Sequence, residues 1–81
     1  MQVRMRYFAA LREATGREAE RLELPEGASL AVVREDLLAR YPSLAQILPR
    51  CAVARNQVYV DAETELADGD ELAFIPPVGG G

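Results

Sequence analysis

The residues best suited to chemistry stand at the end of the chain, Phe74-Ile75-Pro76-Pro77-Val78-Gly79-Gly80-Gly81. Two prolines directly after a strand-like run remove backbone donors and fix φ, so the segment beyond them is expected to leave the sheet as an extended tail. Residues 76–81 span up to about 20 Å at roughly 3.3 Å each, enough to enter a partner's active site. Gly79, Gly80 and Gly81 carry no β-carbon, which suits threading through a narrow channel and leaves the last carbonyl open to attack from either side. The reactive group is then the α-carboxylate of Gly81. A free carboxylate is a poor electrophile, but adenylation by ATP makes it an acyl phosphate that sulfur or an amine can attack.

The other residue types narrow the chemistry. The chain has no histidine and a single cysteine, Cys51. Neither a metal cluster, nor an internal disulfide, nor a cysteine–histidine enzyme is expected from that set. All nine bases are arginines. No side-chain amine exists for Schiff-base chemistry or for receiving an acyl group from another copy. Asp68 and Asp70 flank a glycine, and in such a turn they are expected to bond the local backbone rather than hold Mg²⁺. Arg12-Glu13 reads as a solvated pair. Cys51 has apolar neighbours and reads as a small buried hydrophobe rather than a persulfide carrier.

These groups must be positioned by one small domain, because 81 residues, 49 % apolar and 27 % charged, suffice for one core and not for two. The formal charge of −4 makes nucleic acid a poor partner and basic proteins better ones. Apolar stretches are short and no signal pattern opens the chain, so no membrane association and a soluble, cytoplasmic protein are expected.

Residues 2–8 alternate, with Val3, Met5 and Tyr7 on one face and Arg4, Arg6 and Phe8 on the other, and predict a first strand. Residues 9–15 predict a short helix closed by Gly16, and 19–24 a second strand ending at the Pro25-Glu26-Gly27 turn. Ser29 is placed to cap a helix whose apolar positions Leu30, Val33, Leu37, Leu38 and Tyr41 recur until Pro42 stops it. A further helical turn is expected within 43–50. Short strands at 52–55 and 58–60 flank a tight turn at Asn56-Gln57, and residues 71–75 make the last strand. One long helix laid on one face of a mixed sheet, with the first and last strands as central parallel neighbours, is an α+β β-grasp over residues 1–75. Alternation then leaves three large apolar groups, Phe8, Tyr59 and Ile75, on the face the helix does not cover, beside the root of the tail. They are the candidate partner-binding residues. Val58 and Val60 are expected to face inward.

Taken in order, Tyr7-Phe8-Ala9 leading into Leu11-Arg12-Glu13 and Gly16, Ala54-Arg55-Asn56-Gln57, Leu66-Ala67-Asp68-Gly69-Asp70-Glu71 and the closing Pro-Pro-Val-Gly-Gly-Gly resemble the molybdopterin synthase small subunit (MoaD) family of ubiquitin-like sulfur carriers. The resemblance spans essentially the whole chain. It implies a ubiquitin-like fold, a Gly81 adenylated by an E1-like adenylyltransferase using ATP and Mg²⁺, and conversion to a thiocarboxylate with sulfur from a desulfurase or rhodanese. It further implies sulfur donation to cyclic pyranopterin monophosphate inside a large subunit, in a heterotetramer, with no cofactor bound by the small chain and no catalytic side chain of its own. The family often has a larger residue where Gly79 stands. Sulfur carriers for thiamine thiazole or tRNA thiolation share the fold and the diglycine end, and a ubiquitin-like modifier shares the activation step. A plain interaction module with an inert tail is the remaining alternative.

Overall fold

The structure is a computed structural model and describes residues 1–77. Five strands, β1 (Gln2–Tyr7), β2 (Ala19–Glu23), β3 (Ala52–Arg55), β4 (Val58–Val60) and β5 (Glu71–Ile75), form one sheet in the order β2-β1-β5-β3-β4. β1 and β5 run parallel; every other neighbouring pair is antiparallel. Two α-helices, α1 (Ala10–Thr15) and α2 (Leu30–Arg40), and two short 3₁₀ helices, Pro42–Gln46 and Leu48–Arg50, supply the second layer. This is the β-grasp architecture anticipated from the order of elements.

The strands form where the sequence alternates, and the buried member of each alternation points to one core. Val3, Met5 and Tyr7 of β1, Leu22 of β2, Val53 of β3, and Leu72 and Phe74 of β5 are buried together with Leu30, Val33 and Leu37 of α2. The spacing of three and four between those α2 positions puts them on one stripe, and Arg34 on the same helix lays its guanidinium carbon 5.4 Å from the Phe74 ring centroid. Leu11, Leu44, Leu48 and Leu66 close the ends of this core.

The parallel β1–β5 register is fixed by the Asp68-Gly69-Asp70 turn. Gly69 takes φ 88°, a left-handed conformation that glycine adopts without steric cost, and donates its N–H to the Gln2 carbonyl at 2.8 Å. Asp68 Oδ1 accepts the Gln2 N–H at 2.7 Å, and the Arg4 N–H donates to the Asp70 carbonyl at 2.8 Å. Asp68 therefore reaches across to the neighbouring strand instead of bonding its own loop. Asp70 does bond locally, accepting the Ala67 N–H at 2.8 Å, and also accepts from the Asn56 amide at 3.0 Å.

Several expectations are corrected at element ends. β1 stops at Tyr7, and Phe8 and Ala9 form the bend into α1. Ser29 holds the N-cap position of α2 but donates or accepts no side-chain capping bond; a backbone bridge to Glu65 and the Leu30 N–H bond to the Thr64 carbonyl hold that end instead. Pro42 ends α2 and begins the next helix, and Pro49 lies inside the second 3₁₀ turn rather than stopping it, since proline lacks only a donor that the first turn does not use. Val58 remains on the helix side of the sheet by its pairing with Arg55, yet it is 65 % exposed. β4 is a three-residue edge strand, and among the described residues nothing covers that corner.

Candidate functional site

The sheet face turned away from α2 carries a shallow groove of about 350 Å³. Its floor follows from register. Ala73 of β5 lies opposite Ala54 of β3, and Ala54 lies opposite Tyr59 of β4. Two methyl groups thus occupy the centre of a face whose flanking positions are large. Phe8 stands on one side, Tyr59 on the other, and Ile75 at the end of β5. The structure brings the three sequence-predicted partner-binding residues together around this one depression. Tyr59 and Phe8 are 68 % and 41 % exposed, large apolar areas for a side chain that folding alone would bury.

Each wall has a local cause. Ala9 takes φ 49° and ψ −122°, a conformation costly for a residue with a β-carbon, and this bend sets Phe8 at the lip. The Arg6 guanidinium carbon sits 5.2 Å from the Phe8 ring centroid, a cation–π contact that holds the ring on the outer face. Tyr59 is placed by the β3–β4 hairpin, whose central residues Asn56 and Gln57 have φ 51° and 71°. Two positive φ values in a two-residue loop match the twist of the strands. Asn56 also joins the hairpin to β5: its N–H donates to the Glu71 carbonyl at 2.8 Å, and its Oδ1 accepts the Glu71 N–H at 2.9 Å. The two motif segments around Asn56 and Asp70 are thereby one hydrogen-bonded unit.

Sequence reasoning missed the floor, Ala54 and Ala73, and the polar rim of Arg6, Gln57 and Glu71. The alternation that set Arg6 on Phe8's face was the available signal for Arg6. Outward-facing alanines between bulky neighbours were the signal for the floor. Arg6 and Glu71 approach to 3.8 Å, both partly exposed, so their attraction contributes little to stability.

Pro76 and Pro77 follow β5 outside any regular element. Val78, Gly79, Gly80 and Gly81, which carry the predicted carrier chemistry, lie outside the described residues. Elsewhere, Arg12 meets Glu18 at 3.5 Å rather than Glu13. Cys51 is buried, donates to the Ile47 carbonyl at 3.3 Å, and has its thiol pushed up by burial, opposed by the charge of Arg34. A thiol held protonated is a poor nucleophile. Among the described residues, no three histidine, cysteine or acidic side chains converge as a metal ion requires, and no helix is long and apolar enough to cross a membrane.

A second polar cluster was not legible in the sequence. Glu20, on the inner face of β2, accepts hydrogen bonds from the hydroxyls of Tyr7 and Tyr41, and Arg40 approaches it at 3.5 Å. Burial, then the Glu20 hydrogen bond and charge, push both tyrosines above their ordinary pKa. No groove residue belongs to this cluster, which seals the core edge.

The model of the ThiS family matches residues 5–81. This chain belongs to the ThiS family. Within it, the chain is 39 % identical to the molybdopterin synthase sulfur carrier subunit of Chlamydomonas reinhardtii, with both sequences covered in full. A complex of subunits 1 and 2 of the molybdopterin-converting factor from Helicobacter pylori contains a chain that matches all of this one at 30 % identity and TM-score 0.74, itself covered in full. Small archaeal modifier protein 1 of Haloferax volcanii matches 95 % of this chain with 98 % of its own, at TM-score 0.85 and 26 % identity.

Proposed function

We propose that this chain is the sulfur-carrier subunit of a molybdopterin synthase. The observation that carries the reading is the exposed groove of Phe8, Tyr59 and Ile75, in which Ile75 is both a wall and the last residue before Pro76-Pro77. A protein covering that groove stands where the tail begins. The relatives named as sulfur carrier subunits and the two-subunit complex from Helicobacter pylori support a large-subunit partner.

In this reading the chain is a carrier and not a catalyst. Its residue set supplies no histidine or lysine to act on a phosphate or a pterin, and its one thiol is buried. The E1-like adenylyltransferase supplies ATP and Mg²⁺: a Gly81 carboxylate oxygen attacks the α-phosphorus, and pyrophosphate leaves. A persulfide from a desulfurase or rhodanese displaces AMP, and reduction of its S–S bond by a thiol leaves a thiocarboxylate on Gly81. Val78, Gly79 and Gly80 let that group enter the large subunit, where the sulfur bonds to cyclic pyranopterin monophosphate as a thioester. Water then cleaves the acyl–sulfur bond, returning the Gly81 carboxylate and leaving the sulfur on the pterin.

The test is reconstitution. Chain loaded as the thiocarboxylate, mixed with the large subunit and cyclic pyranopterin monophosphate, is expected to yield molybdopterin. Failure there with successful sulfur supply to a tRNA or thiazole system moves the acceptor to one of those. Likeness to the small archaeal modifier protein favours a second reading, protein modification, whose signature is lysine-linked adducts of this chain in lysate.

A further inference from the structure

Arginine replaces apolar surface where the groove gives way to the β1–β2 half of the same face. Antiparallel register sets Arg4 directly opposite Arg21, and Arg6 follows two residues along β1. All three are exposed. Like charges directly opposite one another destabilise a sheet, so folding alone does not favour this pair. The neighbouring carboxylates are engaged elsewhere. Glu71 faces Arg6 at 3.8 Å, while Glu23 accepts the Gln2 side-chain amide at 2.8 Å and lies 3.8 Å from the Met1 amine. Among the described residues, no ion pair reaches Arg4 or Arg21. Hollows of about 340 and 310 Å³ open on two sides of the pair; Asp68 also lines the first and Glu20 the second. Asp68 accepts the Gln2 N–H and Glu20 the Tyr7 and Tyr41 hydroxyls, and neither is within ion-pair distance of Arg4 or Arg21. Arg6 lines the apolar groove as well. The basic stripe and the groove are therefore one continuous surface, on a molecule whose formal charge is −4. The net charge points to basic partners only as an average, and this face reverses it.

We propose that the Arg4–Arg21 pair is the electrostatic end of the docking surface, and that the protein covering the groove lays a carboxylate-bearing segment across these two guanidiniums. The inference rests on the reading that a large subunit covers the groove, and adds which chemistry that subunit presents beside it. Acidic protein fits better than nucleic acid, because so few bases on an acidic molecule release few counterions. Long-range attraction acts on the encounter, so the pair raises the association rate more than it slows dissociation.

The test measures association of the chain with the large subunit of the same organism by stopped flow, at about 30 and about 300 mM salt, between which the screening length falls roughly threefold. Arg4→Gln/Arg21→Gln is expected to associate about 10-fold more slowly at low salt and to lose most of the salt dependence. Arg4→Glu/Arg21→Glu is expected to be slower still. The thermal midpoint of the glutamine variant is expected at or above that of the wild type, since a like-charge contact is removed; a clearly lower midpoint contradicts the premise. Wild-type rate and salt slope in the double variant, with binding abolished by Ile75→Lys, overturn the arginine assignment and leave the groove standing. Undiminished binding by Ile75→Lys overturns the groove reading and this proposal with it. Capture of a labelled single-stranded RNA of about 20 nucleotides by the wild type, lost in the double variant, reassigns the stripe to nucleic acid and also overturns it.

Discussion

Glu20 binds two tyrosine hydroxyls at the core edge, and this ties stability to alkaline pH. Tyr7 and Tyr41 are both pushed above the ordinary value of 10.0 by burial and by their bonds to Glu20. The unfolded chain releases these protons near that ordinary value while the folded chain retains them. Above it the unfolded state binds fewer protons, so stability falls as pH rises; below it the contribution is fully present. With no lysine in the chain, no side-chain amine titrates in that window; the buried Cys51 thiol, also pushed up, adds a loss that begins lower, near its ordinary value of 9.0. Tyr7→Phe removes a hydrogen bond to a charged acceptor and is expected to cost about 1.5–3 kcal/mol at neutral pH. It should also flatten the decline above pH 10, which urea midpoints on either side of that pH would reveal. An unchanged alkaline slope in the variant contradicts the assignment. Tyr7's inward direction could be read from alternation in β1. Glu20 could not be read, because its satisfying partners come from a neighbouring strand and from the end of α2, and a carboxylate on an apolar face has no local signature.

Hairpin and turn geometry decide how the groove is built at the scale of elements. Gln57 takes φ 71° without being glycine, and a side chain in that region costs about 1–2 kcal/mol, partly offset in glycine by greater chain entropy. Gln57→Gly is therefore expected to stabilise by about 0.5–1 kcal/mol, measured by denaturant unfolding; a loss of stability shows the loop is not strained there. Asn56→Ala removes its side-chain bonds to Asp70 and Glu71 and leaves a buried carboxylate short of one donor. The expected cost is about 1–3 kcal/mol. The sequence made the Asn56-Gln57 turn legible, since asparagine tolerates positive φ, and the periods of two and of 3.6 marked the strands and α2. Residues 42–50 were less legible, because spacing such as Leu44, Ile47 and Leu48 fits α- and 3₁₀-helix alike, and proline can begin a turn as readily as end one. Asp68's bond to Gln2 was hidden for a different reason: it joins residues 66 apart, and only the fold brings them together.

Across the whole molecule, one sheet face is given to the core and the other to the Phe8, Tyr59 and Ile75 groove, with the Pro-Pro element at its end. The division of faces was readable from alternation. The groove's alanine floor required register, which no single strand contains. Ile75→Lys sets a charge on that apolar wall and is expected to weaken large-subunit binding by about 3–5 kcal/mol, by analogy with a buried unpaired charge, or about 100-fold and more; calorimetry showing wild-type affinity contradicts the site. Replacing Pro76 and Pro77 by alanine restores two backbone donors and frees the chain, at an ordering cost of about 1–2 kcal/mol per residue. Thermal unfolding should be unchanged, while the pre-loaded variant, with two residues freed, should convert cyclic pyranopterin monophosphate about 30- to 900-fold more slowly. The central claim, that Gly81 carries sulfur covalently, is tested most directly by intact mass after incubation with an E1-like adenylyltransferase, ATP and a sulfur donor. The account predicts a gain of about 16 Da, one oxygen replaced by sulfur, in the full chain, and none in a chain lacking Gly81 that retains its thermal midpoint. An unchanged mass in the full chain, or an equal gain in the truncated one, contradicts it.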